Sequence, residues 1–203
     1  MNPLLLGVGL SSACVAGVIA SRAGAQRPAP TTPVVTVACF AVIFAVSLAQ
    51  LTIAPGLLPL LMRDGSRVAA GEPWRLATSL LVQDGGWAGA AVNLVGLLAV
   101  GAVAERMLGP RRWALTAAIS VAAAQTVALD WQPTGAGNSI LDFALVGAVC
   151  AACLTMRPPR RALVPASVAL ACVLLLFLRR DIHGVAGASA ALVGFAWSVA
   201  SRT

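Results

Sequence analysis

Long apolar runs, separated by shorter gaps that hold nearly all of the charged residues, make up most of the chain. A helix that crosses the hydrocarbon core of a bilayer needs about 20 consecutive apolar residues, and most of the runs approach that length. The pattern therefore predicts an all-α membrane protein with seven candidate spanning helices. The runs are Pro3–Ala20, Pro33–Leu61, Gly89–Ala104, Trp113–Leu129, Ser139–Met156, Ala162–Leu178 and His183–Ala200.

The first run has two interpretations, a cleaved secretory signal peptide or a retained helix. A signal peptide carries basic residues before its apolar segment. Here only Met1 and Asn2 precede the run, whereas Arg22 and Arg27 follow it. We therefore interpret residues 1–32 as an additional N-terminal transmembrane helix with a cytoplasmic linker, and residues 33–203 as the main bundle.

Composition supports a membrane environment. Hydrophobic residues make up 59% of the chain, charged residues 10%, and the mean hydropathy is +0.89, which is too apolar for an ordinary soluble surface. The fourteen basic residues are all arginine and the net charge is +7. In a soluble domain such a charge would suggest a nucleic-acid partner. Because these arginines lie between apolar runs, we interpret them as orientation signals and expect no nucleic-acid binding.

The distribution of arginine predicts the orientation of the chain. Nine arginines fall in one set of alternate gaps and five in the other set. Positive charge is enriched on the cytoplasmic side of membrane proteins, which places the first set, including Arg202, in the cytoplasm. We expect a multi-pass protein of the bacterial plasma membrane, that is, the inner membrane, with a cytoplasmic C-terminus and a long external loop from about Met62 to Gly86.

Three polar side chains fall at comparable depth on three different runs. Asn93, Ser139 and His183 each lie within the first turns of a run that descends from the outer side. Polar groups inside a bilayer need a partner or a water-filled cavity, so we expect one shared cavity. A serine beside an imidazole can perform acyl transfer, with His183 as general base and Asn93 as oxyanion donor. Small residues such as Gly147 and Gly187 predict close packing of the two helices that carry the pair.

The polar residues belong to a longer series of short segments that runs from about Gly71 onward. The segments are Gly71-Glu72-Pro73-Trp74-Arg75-Leu76-Ala77-Thr78, then Asn93-Leu94-Val95-Gly96-Leu97 with Glu105-Arg106-Met107-Leu108-Gly109, then Gly137-Asn138-Ser139 with Phe143, and finally His183-Gly184. In order and spacing they resemble the rhomboid family of intramembrane serine proteases.

The resemblance implies a rhomboid-like core of six transmembrane helices, Pro33 to Ala200, with the first helix as an addition. It implies a serine endopeptidase that uses a Ser139–His183 dyad to cleave transmembrane or membrane-proximal segments of other membrane proteins. By the same resemblance, Gly137 belongs to the Gly-x-Ser sequence of the nucleophile and Phe143 packs against the histidine. We expect no cofactor and no metal, because the sequence shows no metal-ligand cluster and no phosphate-binding loop.

Two positions depart from the family pattern. Gly89 stands four residues before Asn93, where rhomboids often carry a histidine, so one oxyanion donor is missing. The loss of one such donor lowers the rate by roughly 10²–10³. Ile140 follows Ser139, where glycine is usual, and a β-branched side chain is expected to crowd the helix start or the approach of a substrate. A catalytically inactive rhomboid-like protein that binds membrane proteins is therefore the alternative.

Asp142 lies one helical turn after Ser139 and has two interpretations. It either orients His183, as the acid of a catalytic triad does, or makes a structural bond to a neighbouring helix or to water. A third class of function, a small transporter or channel, is less favoured. The chain shows no inverted repeat and no ionisable path through the bilayer beyond Asp142.

Overall fold

The structure, a computed structural model, describes residues 3–23, 32–155 and 159–200. Within these ranges the chain forms helices, short loops and a two-stranded sheet. The helices are α1 Pro3–Ala23, α2 Val34–Thr52, α3 Leu57–Leu61, α4 Gly65–Ala69, α5 Arg75–Thr78, α6 Gly86–Leu108, α7 Pro110–Trp131, α8 Ser139–Thr155, α9 Arg160–Leu178 and α10 Ile182–Ala200, and the strands are β1 Arg63–Asp64 and β2 Thr134–Gly135.

The apolar runs account for the long helices. Five described helices, α2, α6, α7, α9 and α10, are long and apolar enough to cross a membrane, while α8 and the Leu6–Ser21 part of α1 are apolar but shorter. The prediction of an all-α membrane protein is confirmed. The count of seven spans stays a prediction.

The run Pro33–Leu61 does not form one helix. Helix α2 ends at Thr52 and the short α3 begins at Leu57. Pro55 lies in the break, and proline has no backbone N–H with which to continue the helical hydrogen-bond pattern. The chain therefore turns here and enters the long loop that leads to α6.

Helix α8 forms the centre of the bundle. Its residues Ile140–Cys153 are all buried, and it contacts α6, α7, α10, α9 and α1. With 17 residues it rises only about 25 Å, less than the roughly 30 Å of hydrocarbon in a bilayer. We therefore expect one end of α8 to lie below the membrane surface.

Helices α8 and α10 approach each other closely at glycines. A Cβ atom at Gly147 would overlap the backbone carbonyl of Gly187, and a Cβ atom at Gly194 would lie 2.7 Å from the Cβ of Ala151. Because backbone atoms cannot move aside as a side chain can, residue 147 has to be glycine. The close packing that the small residues predict is confirmed, and it brings the starts of the two helices together.

The carboxylate of Glu105, near the end of α6, anchors the start of α2. It accepts hydrogen bonds from the backbone N–H of Val35 at 3.0 Å and from the backbone N–H and the hydroxyl of Thr36, both at 2.8 Å. The first N–H groups of a helix have no partner within the helix, and a negative charge there also interacts favourably with the helix dipole. Glu105 therefore joins two helices that lie far apart in sequence.

We expect Glu105→Ala to lower the free energy of unfolding by about 2–4 kcal/mol, because three donors lose a charged acceptor. Thermal unfolding in detergent measures this as a lower midpoint temperature. Arg106→Ala changes an exposed neighbour on the same helix and is the control, with an unchanged midpoint. A wild-type midpoint for Glu105→Ala would show that these hydrogen bonds do not stabilise the bundle.

The loop between α2 and α6 folds against the residues that precede α8. Strand β1 pairs antiparallel with β2, with Arg63 opposite Gly135. The backbone N–H of Gly137 donates to the carbonyl oxygen of Ser79 at 2.8 Å. These contacts hold the approach to α8 in place, so the loop positions the first residue of that helix.

Candidate active site

Ser139 and His183 meet at the starts of α8 and α10. The Nε2 atom of His183 lies 2.8 Å from the Oγ atom of Ser139, which is hydrogen-bond distance. The histidine is 4% exposed, whereas Ser139 is half-buried and lines a cavity. The expected contact between the two helix starts is present, and the hydroxyl is open to the cavity.

A carboxylate contacts the other side of the imidazole. The Oδ1 atom of Asp181 lies 2.5 Å from Nδ1 of His183 and accepts the backbone N–H of His183 at 3.0 Å. Burial raises the pKa of Asp181, but the hydrogen bonds and charge of His183 outweigh burial and bring the pKa below its ordinary value. Asp181 is therefore ionised at neutral pH and stabilises a positive charge on the imidazole.

The carboxylate of Asp142 points toward α6 rather than toward His183. The Asp142 carboxylate accepts the side-chain amide of Asn138, at 3.2 Å to Oδ1 and 3.4 Å to Oδ2, and lies next to Gly96 of α6. Successive helical residues are about 100° apart, so Asp142 faces α6 while Phe143 faces α10. This geometry favours the structural interpretation of Asp142 over the orienting one.

Phe143 and the tight start of α10 restrict the imidazole. The Phe143 ring lies 5.5 Å from the His183 ring at an interplanar angle of 78°, an edge-to-face arrangement that aromatic rings favour. A Cβ atom at Gly184 would overlap the backbone of Phe177 at the end of α9. The backbone at Gly184 is therefore packed against α9, and the imidazole ring of His183 contacts Phe143.

Asn93 belongs to a closed ring of hydrogen bonds. Its Nδ2 donates to Oε1 of Gln83 at 2.8 Å, and Nε2 of Gln83 donates to Oδ1 of Asn138 at 3.0 Å. The side-chain Nδ2 of Asn138 donates to the backbone carbonyl oxygen of Asn93 at 3.0 Å, which closes the ring of hydrogen bonds. An amide nitrogen carries two N–H groups, and Asn93 lines the same cavity as Ser139. One N–H is thus held by Gln83, and the network fixes the direction of the other.

Gly137 lies between Asn93 and Ser139. Its φ of +123° is in the region that favours glycine. A Cβ atom at this position would lie 2.9 Å from Nδ2 of Asn93 and 3.3 Å from Oε1 of Gln83. A larger residue would therefore disturb the amide network as well as strain the backbone.

Two polar residues of this site, Asp181 and Gln83, were missed by sequence reasoning. Asp181 carried a signal, because an aspartate just before an apolar helix is typical of an N-cap. Gln83 carried none. It lies in the loop before α6, where its backbone N–H and carbonyl bond to the side chain of Gln50 on α2, at 2.8 and 3.1 Å. Only the folded loop brings these residues together.

The cavity beside Ser139 has a volume of about 890 Å³. Both residues that depart from the resembled pattern line it. A Cβ atom at Gly89 would have no neighbouring atom within 4 Å, so this wall of the cavity is open where a donor is missing. Ile140 is buried against the bundle. The cavity has room for an extended stretch of peptide next to the Ser139 hydroxyl.

The site thus combines a hydroxyl, an imidazole and an amide that line one cavity with a carboxylate on the far side of the imidazole. Among the residues that the structure describes, no three His, Cys, Asp or Glu side chains are grouped so that they could hold a metal ion. The family model of the rhomboid domain matches residues 70–202, well over half of the chain. A comparison with curated proteins gives no match. The matched range includes Asn93, Ser139, Asp181 and His183.

Proposed function

Because the chain belongs to the rhomboid family, we propose that it is an intramembrane serine endopeptidase with Ser139 as nucleophile and His183 as general base. The observation that carries this proposal is the 2.8 Å contact between Nε2 and Oγ, continued by Asp181 on the other side of the ring. The substrates are transmembrane or membrane-proximal segments of other membrane proteins.

The three side chains support one sequence of proton transfers. A carboxylate at Nδ1 favours the imidazole tautomer that carries its proton there, which leaves Nε2 free to accept. As Oγ of Ser139 attacks the peptide carbonyl, its proton passes to Nε2. The imidazolium of His183 then gives this proton to the leaving amine, and water releases the acyl group from Ser139 by the same steps.

Asn93 and the start of α8 supply the oxyanion donors in this proposal. The N–H of Asn93 that is not bonded to Gln83 is available to the developing negative charge. The first N–H groups of α8 have no partner within the helix and lie at the positive end of its dipole. Gly89 supplies no further donor, which predicts a slow enzyme.

Labelling by a fluorophosphonate probe, which reacts with activated serines, tests the proposal. We expect the purified wild type to label, Ser139→Ala to lose all labelling and His183→Ala to lose it by about 10⁴-fold or more. Ser120→Ala is the control, since Ser120 is a buried serine of α7 outside the cavity lining, and it should label as the wild type does. Labelling that persists in Ser139→Ala would refute Ser139 as the nucleophile.

The second candidate is a catalytically inactive rhomboid-like protein that binds membrane proteins without cutting them. The open wall at Gly89, where a further oxyanion donor is missing, favours it. It predicts a folded wild type that does not label, together with capture of a transmembrane client that persists in Ser139→Ala. The two candidates therefore differ in the labelling of the wild type.

The chain is a multi-pass membrane protein, and the arginine distribution carries the finer proposal about its location. We propose the bacterial plasma membrane, a cytoplasmic C-terminus and an active site that opens toward the outer face. Residues 33–203 would then form the six-helix core, and residues 1–32 would add one helix and a linker. Alkylation of single cysteines introduced at Arg202 and in the loop at Arg67 would distinguish the two orientations.

A further inference from the structure

Helix α1 closes a ring of helices around α8. Each of the five helices in contact with α8 also contacts its two neighbours around α8. The contacting pairs are α6 with α7, α7 with α10, α10 with α9, α9 with α1, and α1 with α6. Without α1 the ring would open between α6 and α9. Of these five helices, α1 alone lies wholly outside the range that the family model matches.

The side of α1 that faces the bundle forms a wall of the active-site cavity. Leu6, Gly7 and Leu10 line the cavity together with Ser139 and His183. Gly9 of α1 lies against the phenyl ring of Phe143, which packs on His183. A Cβ atom at Gly9 would lie 3.4 Å from that phenyl ring. A segment that approaches Ser139 from the lipid, between α6 and α9, therefore meets α1 first.

Helix α1 is held by small residues. Among its residues whose side chains are described, the buried ones are Gly9, Ala13, Ala16 and Gly17, whereas Val8, Val15 and Val18 are exposed. In a bilayer, helix association gains little from the hydrophobic effect because lipid solvates apolar side chains as well as a protein core does. Close contacts hold α1 in place, and another helix with a similar face can make the same contacts.

We propose that α1 is an intramolecular inhibitor, which occupies the position between α6 and α9 that a substrate helix must take before Ser139 can cut it. The inference rests on the proposed function and adds to it the kind of substrate that the site takes. The substrate is a single transmembrane helix with small residues at the spacing of Gly9, Ala13 and Gly17. Its N-terminal part lies beside the cavity, as the N-terminal part of α1 does.

A reversible disulfide between α1 and α6 tests the proposal. The side-chain positions of residues 17 and 103 adjoin, so Gly17→Cys with Val103→Cys places two thiols within disulfide reach, after alanine replaces the five native cysteines. The reporter is a synthetic apolar helix with a Gly-x-x-x-Ala-x-x-x-Gly face and a fluorophore and quencher, used in proteoliposomes. Oxidation should lower reporter cleavage at least tenfold, and reduction should restore it, while fluorophosphonate labelling of Ser139 stays constant. Equal cleavage in both states would overturn the proposal.

Loosening α1 should have the opposite effect. Gly17→Leu places a bulky side chain against Val103 and Val149 and should raise reporter cleavage about tenfold, if α1 is displaced in roughly a tenth of wild-type molecules. Ser11→Leu makes a similar change on the exposed side of α1 and is the matched control, with wild-type cleavage. Cleavage by Gly17→Leu no faster than by Ser11→Leu would also count against the proposal.

A binding measurement separates this proposal from the proposed catalytic function. In the Ser139→Ala background, energy transfer reports binding of the reporter helix without any cleavage. We expect oxidation of the cysteine pair to abolish binding and reduction to restore it, whether or not the wild type labels with the fluorophosphonate. Binding that ignores the disulfide overturns the role of α1, whereas absent labelling of every form overturns the catalytic function alone.

Discussion

Asp181→Asn is expected to lower fluorophosphonate labelling and substrate cleavage by about 10²–10⁴-fold, with the fold intact. The asparagine keeps an oxygen for the backbone N–H of His183, so the start of α10 retains its cap. It removes the negative charge 2.5 Å from Nδ1, which stabilises the imidazolium that forms when Ser139 gives up its proton. Its amide can also donate to Nδ1 and favour the tautomer that cannot accept this proton.

Asp142→Asn is the matched control, because it makes the same change at a carboxylate that bonds Asn138 rather than His183. Its labelling rate should stay within a few-fold of the wild type. The pKa of Asp181 is lowered, so its contribution to stability is present above the ordinary value of about 4 and is lost as the pH falls through the lowered pKa. Compared at about pH 7, the wild type should label about 10²–10⁴ times faster than Asp181→Asn. Equal rates for Asp181→Asn and wild type would show that the carboxylate has no part in the reaction.

Gly147→Ala is expected to lower the labelling rate at least about 100-fold, although residue 147 lies two helical turns from Ser139. The added methyl group would overlap the carbonyl of Gly187 and force α8 and α10 apart. The Nε2 to Oγ contact joins these same two helices, so a shift of about 1 Å breaks it. We also expect the free energy of unfolding to fall by about 1–3 kcal/mol.

Gly56→Ala provides the comparison, since a Cβ atom at Gly56 would meet no atom within 4 Å and its φ of −63° suits alanine. Its labelling rate and unfolding midpoint should match those of the wild type. If Gly147→Ala labels as fast as Gly56→Ala, the approach of α8 to α10 does not position the reactive pair.

Several features of the site were readable along the chain because they depend on neighbouring residues. Ser139 and His183 each stand at the start of an apolar run, where a helix begins, and the glycines that follow them predict close packing. Asp142 was one candidate for the orienting acid because it is one turn from Ser139, but that turn directs it to α6, and Asp181 contacts His183 instead.

The sequence by itself determined the membrane class, the approximate helices and the positions of Ser139 and His183 at the starts of two apolar runs, because hydropathy, helix capping and proline act within a few residues of the chain. Only the tertiary structure decided that Gln83 holds Asn93, that Asp181 holds His183 and that α1 forms a wall of the cavity. These contacts depend on how each helix is rotated about its axis and which helices lie side by side. The rotation of each helix and the choice of its neighbours depend on packing throughout the bundle. For example, the contact of Gly147 with the carbonyl of Gly187 sets the distance between α8 and α10.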